Sequence, residues 1–223
     1  LADKKTPAEQ TAVRYRIVPF AGKPPEGPLG AAVKVEARTL KALPALAGAG
    51  AVAKALADLE PATVRDEKGR ALADLRFAVA GEDLAVLAEV RDGKIRQADT
   101  VWKGSSVEVF GSMPGVAAIG QVFLAPQDGD KPARGFRAGQ DGIVAAPEIR
   151  VESQAAEGGY AVHALVPLSL LKLDVARGNV TLEFQVTSVG GPDGKLARGT
   201  LFDSIHAYEN NQRYGLFEVE KGD

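Results

Sequence analysis

The chain has 223 residues, enough for one large domain, or a domain with an extension, to bury a substantial core without covalent staples. A formal net charge of −2 gives no electrostatic case for nucleic acid or an anionic membrane, and no run is apolar enough to span a bilayer. The lack of cysteine excludes a disulfide framework and a thiol nucleophile.

Residues 1–30 open with a polar run and one alternating segment, Val13 to Val18, followed by turn and linker chemistry from Ala21 to Pro28. Val33 to Ala37 alternates and predicts a strand. Leu40 to Leu59 has helix-friendly composition, but Pro44, Gly48 and Gly50 interrupt it, so a loop with at most one short helix is expected. From residue 62 the pattern turns to strands. Leu75–Ala80 and Leu84–Val90, joined through Gly81-Glu82-Asp83, predict a hairpin. Further strands are expected at Ser106–Phe110, Gly120–Leu124, Ile149–Glu152, Tyr160–Val166, Asn179–Val186 and Leu216–Glu220. Many short strands with Gly-rich connections predict an all-β chain. The expected architecture is a two-sheet antiparallel β-sandwich, jelly-roll or immunoglobulin-like, with few short helices. Residues 61–223 form the sandwich in this reading. Residues 1–60 are an N-terminal extension, or edge strands packed on it or leading into it. Because the chain opens at Leu1 with no signal-like segment, it reads as a processed or excised piece of a longer protein.

Few residues offer catalysis. There is no Gly-x-Ser-x-Gly elbow, and adjacency in Asp203-Ser204-Ile205-His206 is not triad geometry. His163 alternates away from Val162 and Ala164, as a partly exposed or hydrogen-bonded strand histidine would. Two histidines without cysteine make a zinc site weak. Asp128-Gly129-Asp130 begins like a calcium loop, yet the twelfth position of that register is Gly139, so only an irregular structural calcium site stays open. A glycosidase needs two facing acids, and Glu108 is the one candidate.

The segment Val101 to Phe110 stands apart. It carries the only tryptophan, Trp102, in loop-like flanks, then a strand with Glu108 between Val107 and Val109. Glu108 therefore points away from those valines, either as a solvated surface acid or as part of a site. An aromatic face beside a carboxylate is one way to hold a sugar ring: the ring's C–H face stacks while its hydroxyls donate to the carboxylate.

Trp-x-Gly-x-Ser-Val-Glu-Val-Phe resembles the signature strand of the family nine carbohydrate-binding modules. Three further features match in order: Leu84–Val90 followed by Arg91-Asp92, Tyr160–Val166 followed by Pro167-Leu168-Ser169, and Asn210 to Phe217. The likeness covers roughly residues 65–223. It implies a β-sandwich that clamps a mono- or oligosaccharide of glucan or xylan type, often at a reducing end, between two aromatic rings. On this resemblance the rings are Trp102 and Tyr214, and the hydroxyl contacts come from Glu108 and Asn211. A basic or amide contact falls near Gln121, with Arg134 and Arg137 as loop alternatives. It further implies a non-catalytic accessory module of a secreted, periplasmic or surface-bound bacterial protein, without a cofactor and with other domains in the parent chain. The sequence departs from the pattern at Ser105, where the family has Asp, and at Tyr214, where it has Trp. Two other readings stay open: a fold-only interaction module, and a b-type haem sandwich using Met113 and His163 as axial ligands.

Overall fold

A computed structural model describes residues 37–140, 142–202, 204 and 206–220. The segment Val13–Val18 and nearly all of Val33–Ala37 lie outside the described residues. The strands, in chain order, are β1 (Arg38–Leu40), β2 (Ala42–Leu43), β3 (Ala62–Asp66), β4 (Ala71–Ala80), β5 (Asp83–Arg91), β6 (Ser106–Ser112), β7 (Gly120–Ala125), β8 (Arg134–Gly139), β9 (Gly142–Ala145), β10 (Arg150–Ala156), β11 (Gly159–Pro167), β12 (Asn179–Ser188), β13 (Ala197–Thr200) and β14 (Gly215–Val219). The strands expected from residue 62 onward are all present, several of them longer than expected. Residues 40–59 supply β2, a 3-10 turn at Ala49–Ala51 and one helical turn at Val52–Ala55.

The pairing path runs β10-β11-β5-β4-β3-β13-β12-β6-β7-β8-β9, so one continuous sheet curls over into two layers. Pairing along that path is antiparallel throughout. β14 continues the second layer beside β12, and β1 pairs with β14 in parallel. At the far edge the Gln127 N–H, just after β7, donates to Ser153 Oγ of β10, so the layers meet there too. A sandwich closed in this way hides most of its strand edges.

Period-two alternation decides which residues fill the space between layers. Val107 and Val109 of β6, Val122 and Leu124 of β7, and Phe184 and Val186 of β12 face Leu75, Phe77, Val86, Val90 and Val162 of the other layer in one core. Phe77 and Phe184 meet with ring centroids 4.6 Å apart, which ties the two layers at their centre. The outer face of β4, β5 and β11 is capped separately, where Leu43, Leu46, Val52, Leu56 and Leu59 cover Ala78, Ala85, Leu87 and Leu165. In the β4–β5 hairpin Ala80 pairs with Asp83 around Gly81-Glu82, and Gly81 has φ +62°, as the first turn position of a type II′ connection requires.

His163 is buried rather than partly exposed, and its Nδ1 has no hydrogen-bond partner among the described residues. It lies on the outer face of β11 beside Leu165. Met113 belongs to the core on the other face of that strand, its sulfur accepting the Asp174 N–H at 3.2 Å. The two side chains are separated by the sheet, so they do not form the axial pair of a haem site.

Candidate functional site

The side of β6 that faces away from the core carries Ser106, Glu108, Phe110 and Ser112. Cross-strand register sets Thr187, Gln185, Glu183 and Thr181 of β12 beside them. On the other flank Phe123 pairs with Glu108 and Gln121 with Phe110. Along β13 and β3, Thr200 continues the row from Gln185, and Arg65 continues it from Thr200. This is a mixed polar and aromatic face, unlike the aliphatic inner face of the same strands, and it is covered: Ser106, Glu108, Phe110, Ser112, Phe123, Glu183 and Thr187 are all buried.

Glu108 is its centre. Alternation places it outward as expected, but it is only 2% exposed, so it is not a solvated surface acid. Gln121 donates an amide N–H to Oε2 at 3.1 Å, and Gln185 donates one to Oε1 at 2.8 Å. Burial pushes its carboxyl up to about 7, against the lowering effect of the two amides and of Arg198. The sign follows from proton binding: between pH 4.5 and about 7 the folded state holds a proton that the unfolded state has lost, so stability falls as pH rises. The shift corresponds to about 3 kcal/mol. Glu108→Gln should flatten this dependence, so that urea melts at pH 5 and pH 8 differ less than in the wild type by ~2–3 kcal/mol. An unchanged difference would mean that Glu108 titrates as an ordinary surface acid.

Trp102 lies on the 3-10 turn Val101–Lys103 that leads into β6, and at 42% exposed it offers an open ring face. Val101 beside it anchors this turn on Phe123 and Ala125. Arg198 donates to the Trp102 carbonyl at 2.5 Å, tying the turn to β13. The Ser105 departure has a local reason. Its hydroxyl donates to Asp92 Oδ2 at 2.7 Å and accepts the Arg96 N–H at 2.9 Å, while Asp92 also takes the N–H groups of Lys94, Val189 and Gly190. One buried carboxylate thus fastens the end of β5 to the approach to β6 and to the loop after β12.

The opposite end of β6 is covered by the segment 206–214. Tyr214 is 6% exposed, packs on Phe110 with centroids 6.2 Å apart, and donates its hydroxyl hydrogen to the Ala207 carbonyl. This is a correction to the expected clamp: the Tyr214 ring is a supporting wall, because Phe110 and Ala207 occupy its surroundings. Asn211 donates to Ser112 Oγ at 2.7 Å and to the Val116 carbonyl at 2.6 Å, which fixes the segment against the end of β6. The open ring in this segment is Tyr208, 55% exposed and edge-on to His206 at 5.7 Å. Arg134 and Arg137 are engaged elsewhere, with Gln97 Oε1 and Glu148 respectively.

A second buried acid stands one pair along β12. Glu183 alternates between Leu182 and Phe184 as Glu108 does between its valines, and the same signal would have found it. Its oxygens accept the N–H groups of Phe184, Leu201, Phe202 and Ser204 at 2.9–3.3 Å. Burial raises its pKa. With both oxygens held by backbone, it shapes the wall of the face rather than pairing with Glu108 in acid–base chemistry. Among the described residues no group of three or more His, Asp or Glu side chains converges as a metal site.

Beside Gln185 the face opens into a depression of about 370 Å³ whose lining includes Arg65, Arg198 and Arg213 together with the acids Asp66 and Glu67. Its volume falls within the roughly 300–1,000 Å³ usual for small-molecule sites. None of its three arginines was singled out by the sequence, because β3 and β13 are short and the residues are far apart in the chain.

No protein-family model and no curated protein matches the chain. Solved structures do. A family nine carbohydrate-binding module from Caldicellulosiruptor kristjanssonii in complex with cellotriose aligns with a TM-score of 0.60 at 20% identity, over 83% of this chain and 95% of that one. A family nine module from the same organism in complex with glucose aligns at 0.51 and 21% identity, over 76% and 88%. A candidate carbohydrate-binding protein from Bacteroides uniformis aligns at 0.55 and 14% identity, over 83% and 100%. The chain has the all-β sandwich fold of the family nine modules.

Proposed function

We propose that this domain binds a saccharide without transforming it, on the outer face of β12, β6 and β7. The observation that carries the reading is the buried Glu108 carboxylate, held between the amides of Gln121 and Gln185 on the strand that the turn bearing the exposed Trp102 ring leads into. The sugar ring stacks on Trp102, and its hydroxyls exchange hydrogen bonds with the half-buried Gln121 and Gln185, whose amides Glu108 orients from beneath. From Ser106 to Phe110 the strand advances roughly 13 Å, room for a short oligosaccharide between Trp102 and the 206–214 segment. Asn211 and Tyr214 act by holding that segment, and Tyr208 is the second ring in reach of a ligand lying along β6. Two structural neighbours that contain glucan-type sugars, cellotriose and glucose, support the same class of ligand here. A module that recognises polysaccharide works where the polymer is. This favours an exported bacterial protein in which other domains act on the polymer; among the described residues no helix is long and apolar enough to cross a membrane.

Trp102→Ala tests the reading. With the only tryptophan removed, wild-type intrinsic fluorescence and variant calorimetry are both needed. The wild type should show a quench or shift of Trp102 emission on titration with cello- or xylo-oligosaccharides. The variant should lose at least tenfold in affinity, consistent with ~1–2 kcal/mol from ring stacking, and keep a cooperative melt. No response of the wild type to any glycan would leave the fold-only reading in its place.

A further inference from the structure

Resting on the saccharide reading, we infer that Glu108 sets the affinity of that site by pH: ionised, it holds the amide oxygens of Gln121 and Gln185 towards the ligand, and protonated, it gives up one of them. The geometry of three strands carries this. Glu108 is 2% exposed, and its two oxygens are divided between two amides, Oε2 with Gln121 at 3.1 Å and Oε1 with Gln185 at 2.8 Å. An ionised carboxylate only accepts, so each amide must present its nitrogen to Glu108 and hold its oxygen on another side. Both glutamines are half-buried and stand on opposite flanks of β6, so a ligand on this face meets them before it meets Glu108. Protonation reverses one of these contacts. A neutral carboxyl keeps one accepting oxygen and gains an O–H donor, which cannot face an amide N–H, so one glutamine turns its amide about to offer the oxygen inward. The ligand side then shows an NH2 group where it showed an oxygen, and the sugar hydroxyls lose one acceptor.

The direction of the effect follows from the chain of bonds. A sugar hydroxyl that donates to an amide oxygen strengthens the N–H bond the same amide makes to the carboxylate, so ligand and ionised Glu108 favour each other. Charged groups approach Glu108 from its neighbours. β6 and β7 bring no other ionisable side chain. On β12 Glu183 is next on the same face, its oxygens held by backbone N–H groups and not by the two amides. On β13 Arg198, bonded to the Trp102 carbonyl, favours the anion, while Arg65 and Arg213 line the depression beyond Gln185. Tyr214 gives its hydroxyl hydrogen to the Ala207 carbonyl, and Lys103 on the Trp102 turn is exposed. Burial outweighs the two amides and Arg198 and brings the carboxyl to about 7, so that both forms of the site are reached in ordinary buffers.

The test is calorimetric titration of the intact chain with cellotriose and xylotriose at pH 5 and pH 8. The trisaccharide that binds should do so about fivefold more tightly at pH 8, the worth of one hydrogen bond. By linkage, binding near the midpoint should release about a third of a proton, read from titrations in buffers of different ionisation enthalpy. Glu108→Gln has one donor and one acceptor end at every pH, so at pH 8 it should bind as weakly as the wild type does at pH 5. His206→Asn removes the imidazole beside Tyr208, a change that a φ of +56° accommodates, and should keep the wild-type pH profile. Equal wild-type affinity at the two pH values, no proton release, or a profile kept in Glu108→Gln and lost in His206→Asn overturns the inference while the saccharide reading stands. Should Glu108→Gln fail to fold, proton release by His206→Asn decides: its persistence supports the inference and its loss overturns it. Failure of both trisaccharides to bind at either pH overturns the inference and the saccharide reading together.

Discussion

Glu183→Ala is expected to destabilise the domain by about 3–5 kcal/mol, enough to leave much of it unfolded at moderate temperature. The reason is an inventory of donors. Four backbone N–H groups, from Phe184, Leu201, Phe202 and Ser204, end on this carboxylate, and the residue is fully buried. Removing it strands donors in a dry environment, where each lost partner costs more than an average hydrogen bond contributes. The consequence reaches the candidate site. Residues 201–204 connect β13 to the segment that carries Tyr208, Asn211 and Tyr214, so releasing the turn should unsettle the cover over the end of β6 before the core melts. Glu183→Gln keeps one acceptor oxygen and should recover part of the loss. The check is chemical denaturation of both variants with hydrogen exchange at Leu201 and Phe202: equal stability of wild type and Glu183→Ala would mean that water replaces the carboxylate without cost.

Gly120→Ala is expected to cost about 3 kcal/mol, although it adds a single methyl group. A Cβ at this position would come within 2.3 Å of the Leu170 carbonyl oxygen and 2.4 Å of Leu171 Cα, and backbone cannot turn aside as a long side chain can. Its cross-strand partner Gly111 faces the same obstacle, 2.5 Å from the Leu171 carbonyl oxygen. The two glycines make a bare patch on the inner face of β6 and β7, over which the turn 168–173 passes to set Leu168, Leu171 and Leu173 into the core. Gly48→Ala is the matched control: its φ of −174° suits any residue, nothing lies within 4 Å of an added Cβ, and stability should move by no more than about 0.5 kcal/mol. Urea melts of the two variants side by side would decide it. Comparable stabilities would mean that the 168–173 turn slides freely over the sheet.

Alternation made most of this fold legible. Runs such as Leu84–Val90 and Tyr160–Val166 register directly, because one face of each must reach the core. The strands that the sequence concealed are those whose partners compensate for a weak pattern. β13 reads Ala-Arg-Gly-Thr and pairs for only a few residues on either side, while β8 and β9 are a short, largely exposed hairpin at the sheet edge. Such segments become strands because neighbours offer them hydrogen bonds, not because their own side chains demand it.

The site divides in the same way. The order Val107, Glu108, Val109 was sufficient to turn the glutamate away from the core. Burial of that glutamate raises its carboxyl to about 7 against the lowering effect of Gln121 from the next strand and Gln185 from 77 residues away, and no local pattern shows it. Tyr214 is the counterpart: the family resemblance implied an open ring there, and packing on Phe110 makes it a wall. What the sequence determined by itself was everything that depends on period two within a strand: the class of fold, the inward face, and the side on which Glu108 stands. Tertiary structure alone decided which acids are dry, which rings are open, and that Arg65, Arg198 and Arg213 share a pocket. Those properties belong to pairs of residues far apart in the chain, and the curl of the sheet, not any local pattern, brings them together.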